Sequence, residues 1–290
     1  MVVGRSLGFV VVALATVGIR HACAIGDVAP PAQGPPVPVL ADTLFVDPSA
    51  VELPEVPPQP PAEAEHVEGP CPDEMVLVEG MYCPDVKQVC KRWMDPPTSP
   101  YAVFRCAEYE QPSTCLSPAR EHKRFCIDRE EYVRPGDALP LANQSWTSAS
   151  RVCAADGKRL CLESEWQFAC EGEEMRPYPY GFSRDKTACN IDQPHLGKMQ
   201  SGLTDLRAPV TEYPRCLSPF GVHDMSGNVE EWATLDHGRA PERSTMKGAW
   251  WLPGKNNCRA ATLGHGETYD GPQVGVRCCK DAPNAPNATN

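Results

Sequence analysis

Cysteine is the residue that most constrains how this chain folds. The 290-residue sequence contains 15 cysteines, and one of them, Cys23, lies in an N-terminal segment that we expect to be removed. The 14 that remain are an even number, which in an exported chain favours disulfide bonds over free thiols. No spacing among them suggests a zinc site. We therefore expect a mature chain with seven disulfides, whose pairing the sequence does not specify.

The N-terminal segment, residues 1–24, has the pattern of a secretory signal peptide. Arg5 precedes an apolar run over residues 7–19, and residues 22–24 (Ala-Cys-Ala) place small side chains where a signal peptidase cleaves before Ile25. The apolar run is too short to span a membrane comfortably. These features predict a protein that is secreted or that resides in the periplasm or cell envelope.

A lipoprotein anchored through Cys23 is the competing interpretation. It is the less favoured one, because Arg20 and His21 stand where a lipoprotein signal needs small or aliphatic residues. The net charge of −11 and the pI of about 5.1 also argue against a nucleic-acid partner, which would require a basic surface.

The predicted mature chain begins with a stretch, residues 25–69, that is dense in proline, alanine, valine and acidic residues; residues 54–61 read PEVPPQPP. Such a composition does not bury enough apolar surface to offset the entropy lost on ordering. We expect a disordered linker that holds the folded part away from a surface or partner, or alternatively a merely tolerated tail. Residues 282–290 form a second disordered tail.

The folded part is predicted to cover residues 70–281. Residues 75–80 are typical of a short buried strand. Residues 125–132 alternate apolar and polar side chains, which predicts a second strand that pairs with the first. Between them lies a cysteine-rich insert, residues 83–115, whose prolines predict loops held by disulfides.

Two helices are predicted next. Residues 145–157 carry apolar residues at helical spacing, with Ser145 able to cap the start and Gly157 the end. A second helix is expected over residues 163–170. It lacks a capping side chain at its start, where Leu162 stands.

Residues 224–232 (Asp-Met-Ser-Gly-Asn-Val-Glu-Glu-Trp) contain the most distinctive motif. Asn228 and Glu231 are three residues apart behind a glycine, so two hard oxygen ligands can converge with backbone carbonyls on a calcium ion. On spacing alone, a polar turn capped by Trp232 explains the same residues.

The motif resembles the Gly-Asn-Val-x-Glu-Trp signature of the formylglycine-generating-enzyme (sulfatase-modifying-factor) family. Further segments resemble that family in the same order along the chain: residues 159–166, 178–181, 188–191, 219–228, 246–251, 258–261 and 275–278. The resemblance covers residues 72–280 and implies an irregular α+β domain of the C-type-lectin-like type, with short strands, two helices and much loop. In the 159–166 segment Cys161 stands for a proline of the family signature and Leu162 for its capping threonine, so we expect a disulfide of Cys161 to fix the start of the second helix instead.

The resemblance also implies structural calcium. The side chain of Asn228, the carbonyl of Val229 and the carboxylate of Glu231 correspond to one site. Asn190 and the carbonyl of Ile191 correspond to a second site. That second site is the weaker prediction, because its acidic partner is displaced along the sequence and Asn190 also fits an ordinary turn.

Active members of the family oxidise a protein cysteine to formylglycine with oxygen and copper(I), which two cysteines hold. The second of these corresponds to Cys258, but the first falls on Pro253, which cannot bind copper. We therefore expect no copper, and we expect Cys258 to form a disulfide with Cys278 or Cys279.

Two functions remain open from the sequence. The first is a non-catalytic binding or structural module, in which a strand containing Trp250 and Trp251 lines the former substrate groove and contacts a protein, peptide or glycan. The alternative for these two tryptophans is that both are simply core residues. The second is an oxidoreductase acting on protein cysteine through a remodelled site that includes Cys258. Residues 143–145 and 287–289 also match the N-glycosylation pattern.

Overall fold

The computed structural model describes residues 69–194 and 202–283. The predicted signal peptide, the linker up to residue 68 and the tail from residue 284 lie outside the described residues. The helices are α1, Trp146–Ala155, and α2, Glu163–Glu171. The strands are β1 Met75–Tyr82, β2 Val86–Lys87, β3 Cys90–Trp93, β4 Cys106–Tyr109, β5 Thr114–Cys115, β6 Glu121–Asp128, β7 Arg159–Leu160, β8 Glu230–Arg239, β9 Glu242–Lys247, β10 Ala261–Thr262, β11 Val274–Gly275 and β12 Cys278–Asp281.

The first four-stranded sheet has the order β1-β6-β12-β7. β1 and β6 are antiparallel, with Met75 opposite Asp128, so the two predicted strands do pair. β6 begins four residues before the start predicted for this strand and ends at Asp128. Beyond that residue the chain leaves the sheet, and the N–H of Tyr132 bonds instead to the carbonyl of Val276. β12, from the C-terminal end of the domain, is inserted between β6 and β7.

Both predicted helices are confirmed. The Ser145 hydroxyl accepts the N–H of Ser148, the Ser148 hydroxyl accepts the N–H of Ser145, and this reciprocal pair caps α1. α2 has no capping hydroxyl, and the Glu165 side chain accepts the N–H of Leu162 instead. The residue before it, Cys161, is bonded to Cys279 in β12, so a disulfide does hold the start of α2.

The second four-stranded sheet has the order β10-β9-β8-β11, with β8 and β9 antiparallel and β11 parallel to β8. The sequence predicted that the strand would continue through Trp250 and Trp251, and this is wrong. β9 ends at Lys247, because Gly248 (φ 83°) and Ala249 (φ 54°) adopt left-handed conformations that no extended strand accommodates. Both tryptophans lie in the loop that follows.

The fourteen cysteines between residues 69 and 283 form seven disulfides, as predicted from their number. The pairing predicted for Cys258 is wrong: it bonds to Cys170 in α2. Its two expected partners are used elsewhere, since Cys278 bonds to Cys153 and Cys279 to Cys161. Successive residues of β12 point to opposite faces of the sheet, and each therefore reaches a different neighbour.

The cysteine-rich insert is more ordered than its prolines predicted. β2 pairs with β5 and β3 pairs with β4, giving two small antiparallel ladders. Each ladder has its own disulfide: Cys83–Cys115 joins the segment before β2 to β5, and Cys90–Cys106 joins β3 to β4. The domain as described is α+β, with two helices, many short strands and extensive loop, and none of the described helices is long and apolar enough to cross a membrane.

Candidate functional site

An ion pair between Glu231 and Arg277 lies at the centre of the domain, and both side chains are fully buried. The Arg277 guanidinium donates to both Glu231 carboxylate oxygens, at 2.7–2.9 Å, and the Trp166 indole N–H donates to Oε2 at 2.5 Å. The guanidinium also donates to the backbone carbonyls of Asp128, Arg129 and His223. Both oxygens of Glu231, a predicted calcium ligand, are therefore already hydrogen-bonded.

The side chain of Asn228 is also fully engaged. Its Oδ1 accepts from the Asn190 side-chain amide at 2.9 Å and from the Ala208 N–H at 2.8 Å. Its Nδ2 donates at 2.5 Å to Glu131, whose other oxygen accepts the N–H of Val229 at 3.1 Å. Asn228 thus holds the loop in its left-handed turn, at φ 54°, through hydrogen bonds on every side.

Asp224, at the start of this loop, has a carboxylate that is not hydrogen-bonded to any described residue. It is 2% exposed, and neither carboxylate oxygen has a hydrogen-bond partner among the described residues. Burial raises its pKa to about 8; the Arg277 guanidinium opposes that rise, and the carboxylates of Glu130 and Glu231 add to it. The sequence analysis did not select Asp224, although its position in the 224–232 motif was the available signal.

Burial also raises the pKa of Glu131 well above its ordinary value, and the carboxylates of Asp224 and Glu231 add to the rise. Three buried carboxyl groups, Glu131, Asp224 and Glu231, therefore surround one guanidinium, that of Arg277. If all four groups are ionised, the cluster has an excess of two negative charges. A divalent cation is one way to compensate such an excess.

The donor set fits calcium at Asp224 better than at Asn228. A buried carboxylate without partners supplies hard oxygens, whereas the Asn228 oxygen already accepts two N–H donors. Among residues 69–194 and 202–283, no three acidic, histidine or cysteine side chains converge closely enough to hold an ion by themselves. A calcium ion at Asp224 therefore has to draw further oxygens from backbone carbonyls.

The residues predicted for the second calcium site are engaged in other contacts. The Asn190 side chain donates to the Leu206 carbonyl and accepts from Gln193. The side chain of Ile191 packs in an apolar cluster with two bonded cysteines. Asp205, the only acid near the expected position, is paired with Arg207 at 2.7 Å. The structure thus explains Asn190 as a hydrogen-bonding residue of the loop.

The predicted catalytic residue Cys258 is buried, and its sulfur is bonded to that of Cys170. Pro253 occupies the position that the sequence resemblance assigns to the other copper ligand. The structure thus brings no pair of free thiols together in the described part of the chain. The disulfide instead joins α2 to the loop that precedes β10.

A surface groove of about 480 Å³ adjoins this loop and includes one of the two predicted groove residues. Trp250 lines it, whereas Trp251 is fully buried beneath. At its base the half-exposed hydroxyl of Thr262 donates to the buried carboxylate of Glu230 at 2.7 Å. The groove is lined by Tyr101, Phe104, Glu230, Met246, Ala249, Trp250, Pro253, Gly254, Lys255, Ala260, Ala261, Thr262 and Leu263.

One wall of the groove is supplied by the cysteine-rich insert, through Tyr101 and Phe104. The Lys255 ammonium lies 4.5 Å from the centre of the Phe104 ring, a cation–π contact between the insert and the loop on the opposite side. That ammonium has no salt bridge to a described residue. The groove is therefore an aromatic and apolar surface with one accessible cation.

A chain of ion pairs positions the insert. Asp192 accepts from Arg105 of the insert at 3.2 Å and from Arg184 at 2.7 Å, and Arg184 also donates to Asn256 at 2.6 Å. Asp95 completes the chain by pairing with Arg105. Because Arg184 and Asp192 are almost fully buried, these pairs are shielded from water and fix the insert beside the 250–258 loop.

Comparison with known proteins agrees with the α+β fold. The model of the sulfatase-modifying factor enzyme 1-like domain matches residues 101–282. The chain therefore belongs to the formylglycine-generating-enzyme (sulfatase-modifying-factor) family, and its fold is the irregular C-type-lectin-like α+β fold of that family.

Its relatives include both inactive and active members. The chain is 33% identical over 161 residues to the mouse inactive C-alpha-formylglycine-generating enzyme 2, covering 52% of each chain. It is 30% identical over 118 residues to the bovine formylglycine-generating enzyme, covering 38% of this chain and 31% of that one. The chain thus spans about half the length, or less, of these relatives. Among solved structures, CarF is similar in fold, with a TM-score of 0.50 and 16% identity over 73% of this chain and 99% of that one.

Proposed function

We propose that this protein is a secreted, non-catalytic binding module that retains the family scaffold and uses the groove beside Trp250 to contact a protein, peptide or glycan. The observation that carries the proposal is the Cys170–Cys258 disulfide, together with Pro253 at the other copper position. Two thiolates are the soft ligands that copper(I) requires, and here one is replaced by proline while the other is oxidised and buried.

Secretion is supported by the seven disulfides and by the N-terminal pattern of the sequence. Disulfides of this density persist in oxidising compartments and are rare where glutathione keeps thiols reduced. The same environment keeps Cys258 bonded to Cys170. An extracellular or envelope location and the loss of copper chemistry therefore support each other.

Binding is supported by the composition of the groove. Tyr101 and Trp250 offer aromatic faces, and aromatic side chains give large contact areas at a low cost in conformational entropy. The disulfides and the Arg105–Asp192–Arg184 ion pairs hold the wall of the groove in place before a ligand arrives. Such preorganisation reduces the entropy lost on binding.

Calcium is proposed as the structural cofactor, with Asp224 as its carboxylate ligand and the Val229 carbonyl among its further oxygens. Bound calcium would neutralise the excess negative charge of the buried cluster. Glu231 would act through its ion pair with Arg277, which orients the end of the loop, and Asn228 through the hydrogen bonds that shape the turn.

The decisive experiment combines a thiol count with an activity assay. Native protein, denatured without reductant, should contain no free thiols. Incubated with copper and a sulfatase-type cysteine peptide under oxygen, it should yield no aldehyde-bearing peptide by mass spectrometry. Conversion of the peptide by the unmodified protein, lost in Cys258→Ser, would establish the alternative function, an oxidoreductase acting on protein cysteine.

The groove is tested separately by screening immobilised peptides and glycans for binding to the full chain. For any ligand found, Trp250→Ala and Tyr101→Ala should each weaken binding at least tenfold. Trp93→Ala is the matched control, since Trp93 is an exposed aromatic residue of the insert that does not line the groove. Equal weakening by all three variants would argue against the groove as the binding site.

A further inference from the structure

We infer that Asn143 carries an N-linked glycan in the mature protein. The residues Asn143-Gln144-Ser145 fit the acceptor pattern, with a serine two positions on and no proline between. The described residues include five asparagines, at positions 143, 190, 228, 256 and 257. Of these, only Asn143 is followed two residues later by serine or threonine.

Asn143 is exposed on a segment whose backbone is firmly held. Its N–H bonds to the Gly271 carbonyl at 3.2 Å, and the next N–H, that of Gln144, bonds to the Val274 carbonyl at 3.1 Å. The preceding residue, Ala142, is buried. A glycan at Asn143 therefore projects from the surface without requiring the domain to open.

The side-chain amide of Asn143 is free, since it forms no hydrogen bond with any residue in 69–194 or 202–283. In contrast, Asn190, Asn228 and Asn256 are buried with their amide groups hydrogen-bonded. Asn143 has φ 55°, a left-handed conformation that asparagine tolerates better than most residues. Backbone conformation alone is therefore the competing explanation for asparagine at this position.

The chemistry of the modification is a glycosyl transfer and involves no change of oxidation state. The Asn143 amide nitrogen would displace a lipid pyrophosphate from the anomeric carbon of a lipid-linked oligosaccharide. A C–N bond forms, the C–O bond to the pyrophosphate breaks, and the amide nitrogen loses one proton. The inference rests on the proposed secretion of the chain and requires a lipid-linked oligosaccharide donor in the compartment to which the chain is exported.

The timing of this transfer follows from the role of Ser145. In the folded domain its hydroxyl accepts the Ser148 N–H at 3.1 Å and caps α1. A hydroxyl engaged in this way is not free to take part in recognition of the acceptor. The transfer therefore precedes formation of the α1 cap, during export of the chain.

The folded surface has room for the first sugars. An open depression of about 380 Å³ lies beside Asn143, lined by Arg134, Asp137, Leu139 and Arg207 among others. It combines charged groups that hydrogen-bond to hydroxyls with a partly exposed leucine. The glycan would cover this depression.

The test is glycopeptide mapping of the full chain from its natural source and from a eukaryotic secretory host. An amidase that releases N-glycans in ¹⁸O-labelled water should convert Asn143 to labelled aspartate in both samples. Asn287→Gln removes the second acceptor pattern, which lies outside the described residues, and the label at residue 143 should persist. Asn143 recovered as unmodified asparagine in the secreted, disulfide-bonded protein from its natural source would overturn the inference.

Two variants separate modification from backbone conformation. Asn143→Asp has the same polypeptide chain as the enzymatically deglycosylated protein and tolerates the left-handed conformation, so it should lose the glycan and still be secreted in folded form. Ser145→Thr retains both the acceptor pattern and the helix cap, and should remain glycosylated. Loss of the glycan in Ser145→Thr would contradict the inference.

Discussion

Two loops of this domain occupy functional positions of the family, and they differ in what chemistry they retain. The 224–232 loop surrounds a buried ion pair with further buried carboxylates, and one of these, Asp224, has no partner among the described residues. The 250–258 loop ends at Cys258, whose thiol has been consumed in a disulfide. The first loop contains the carboxylate at which we propose that a cation binds, whereas the second has no free thiol.

The difference separates a loop held by a buried ion pair from a loop held by a disulfide. Glu231 and Arg277 link β8, β6 and the approach to β12 through their hydrogen bonds, so we expect the stability of the domain to depend on them. Cys258 joins the 250–258 loop to α2 through its disulfide with Cys170. Membership of the family does not by itself establish the family's activity for this chain.

The largest expected effect comes from removing the positive charge of Arg277 at the centre of the buried ion pair. Arg277→Met leaves Glu231 buried without its partner, and breaking a buried pair in this way typically costs about 3–5 kcal/mol. We expect the free energy of unfolding, measured by urea denaturation, to fall by that amount. Glu231→Gln with Arg277→Met should recover part of the loss. If Arg277→Met unfolds at the wild-type urea concentration, the central ion pair does not hold the scaffold.

The second prediction concerns the Cys170–Cys258 bond. Cys170→Ala with Cys258→Ala should lower the free energy of unfolding by about 2–4 kcal/mol, because the bond closes a long loop of the unfolded chain. Formylglycine formation should remain absent.

A double variant, Pro253→Cys with Cys170→Ser, tests the same disulfide in another way. Cys170→Ser frees the Cys258 thiol, and Pro253→Cys supplies a second thiol. This variant should bind copper(I), measured by competition with a chromogenic chelator, whereas Pro253→Cys alone should bind much less. Equal copper binding by both variants would show that the disulfide does not block the site.

The third prediction tests calcium at the 224–232 loop. A ligand at about 100 times its dissociation constant stabilises the native state by about 2.7 kcal/mol. Adding chelator should therefore lower the melting temperature of the wild-type protein, and Asp224→Asn should remove most of this response. Asp205→Asn is the matched control and should respond as the wild-type does. A full chelator response in Asp224→Asn would place the ion elsewhere.

The smallest expected effect, taken per pH unit, is the pH dependence of the calcium-free protein. Burial raises the pKa of Asp224 from 3.8 to about 8, so the native state holds a proton that the unfolded state releases between those values. The stability that this group contributes is complete below pH 4 and is lost as the pH rises to about 8. The slope is at most about 1.4 kcal/mol per pH unit.

This pH dependence is measured as the melting temperature between pH 5 and pH 8 in chelator. Asp224→Asn should flatten the fall, because the amide does not titrate in this range. Added calcium should also reduce the fall in the wild-type protein by favouring the ionised carboxylate. If the melting temperature falls equally steeply with pH in the wild-type protein and in Asp224→Asn, the pH dependence arises from another group, such as Glu131.

Local features of the fold could be predicted from the sequence because short segments encode them. The Ser145 cap, the boundaries of both helices and the buried strand that begins at Met75 agree with their patterns within a few residues. The end of β6 and the path after Lys247 could not be predicted in this way. They depend on left-handed residues and on backbone hydrogen bonds to distant parts of the chain, and neither leaves a periodic pattern in the sequence.

The candidate site was predicted only in part, for a related reason. The motif at residues 224–232 forms part of the candidate site, and the sequence selected Asn228 and Glu231 because both carry hard oxygens. The structure shows that Arg277, 46 residues from Glu231, and Glu131, 97 residues from Asn228, already bond to those side chains. Whether an oxygen is free to bind an ion depends on partners that lie far away in sequence.

The sequence by itself determined the family, the α+β class, the number of disulfides and the absence of the first copper-binding cysteine, since each of these is a matter of residue identity and local order. Only the tertiary structure decided which cysteine bonds to Cys258, which carboxylate is left without a partner and which tryptophan reaches the groove. These outcomes depend on the pairing of β12 with β6 and β7 and on the packing of α2 beneath the 250–258 loop. Burial and long-range pairing are properties of the folded chain, because they arise only when segments distant in sequence come into contact.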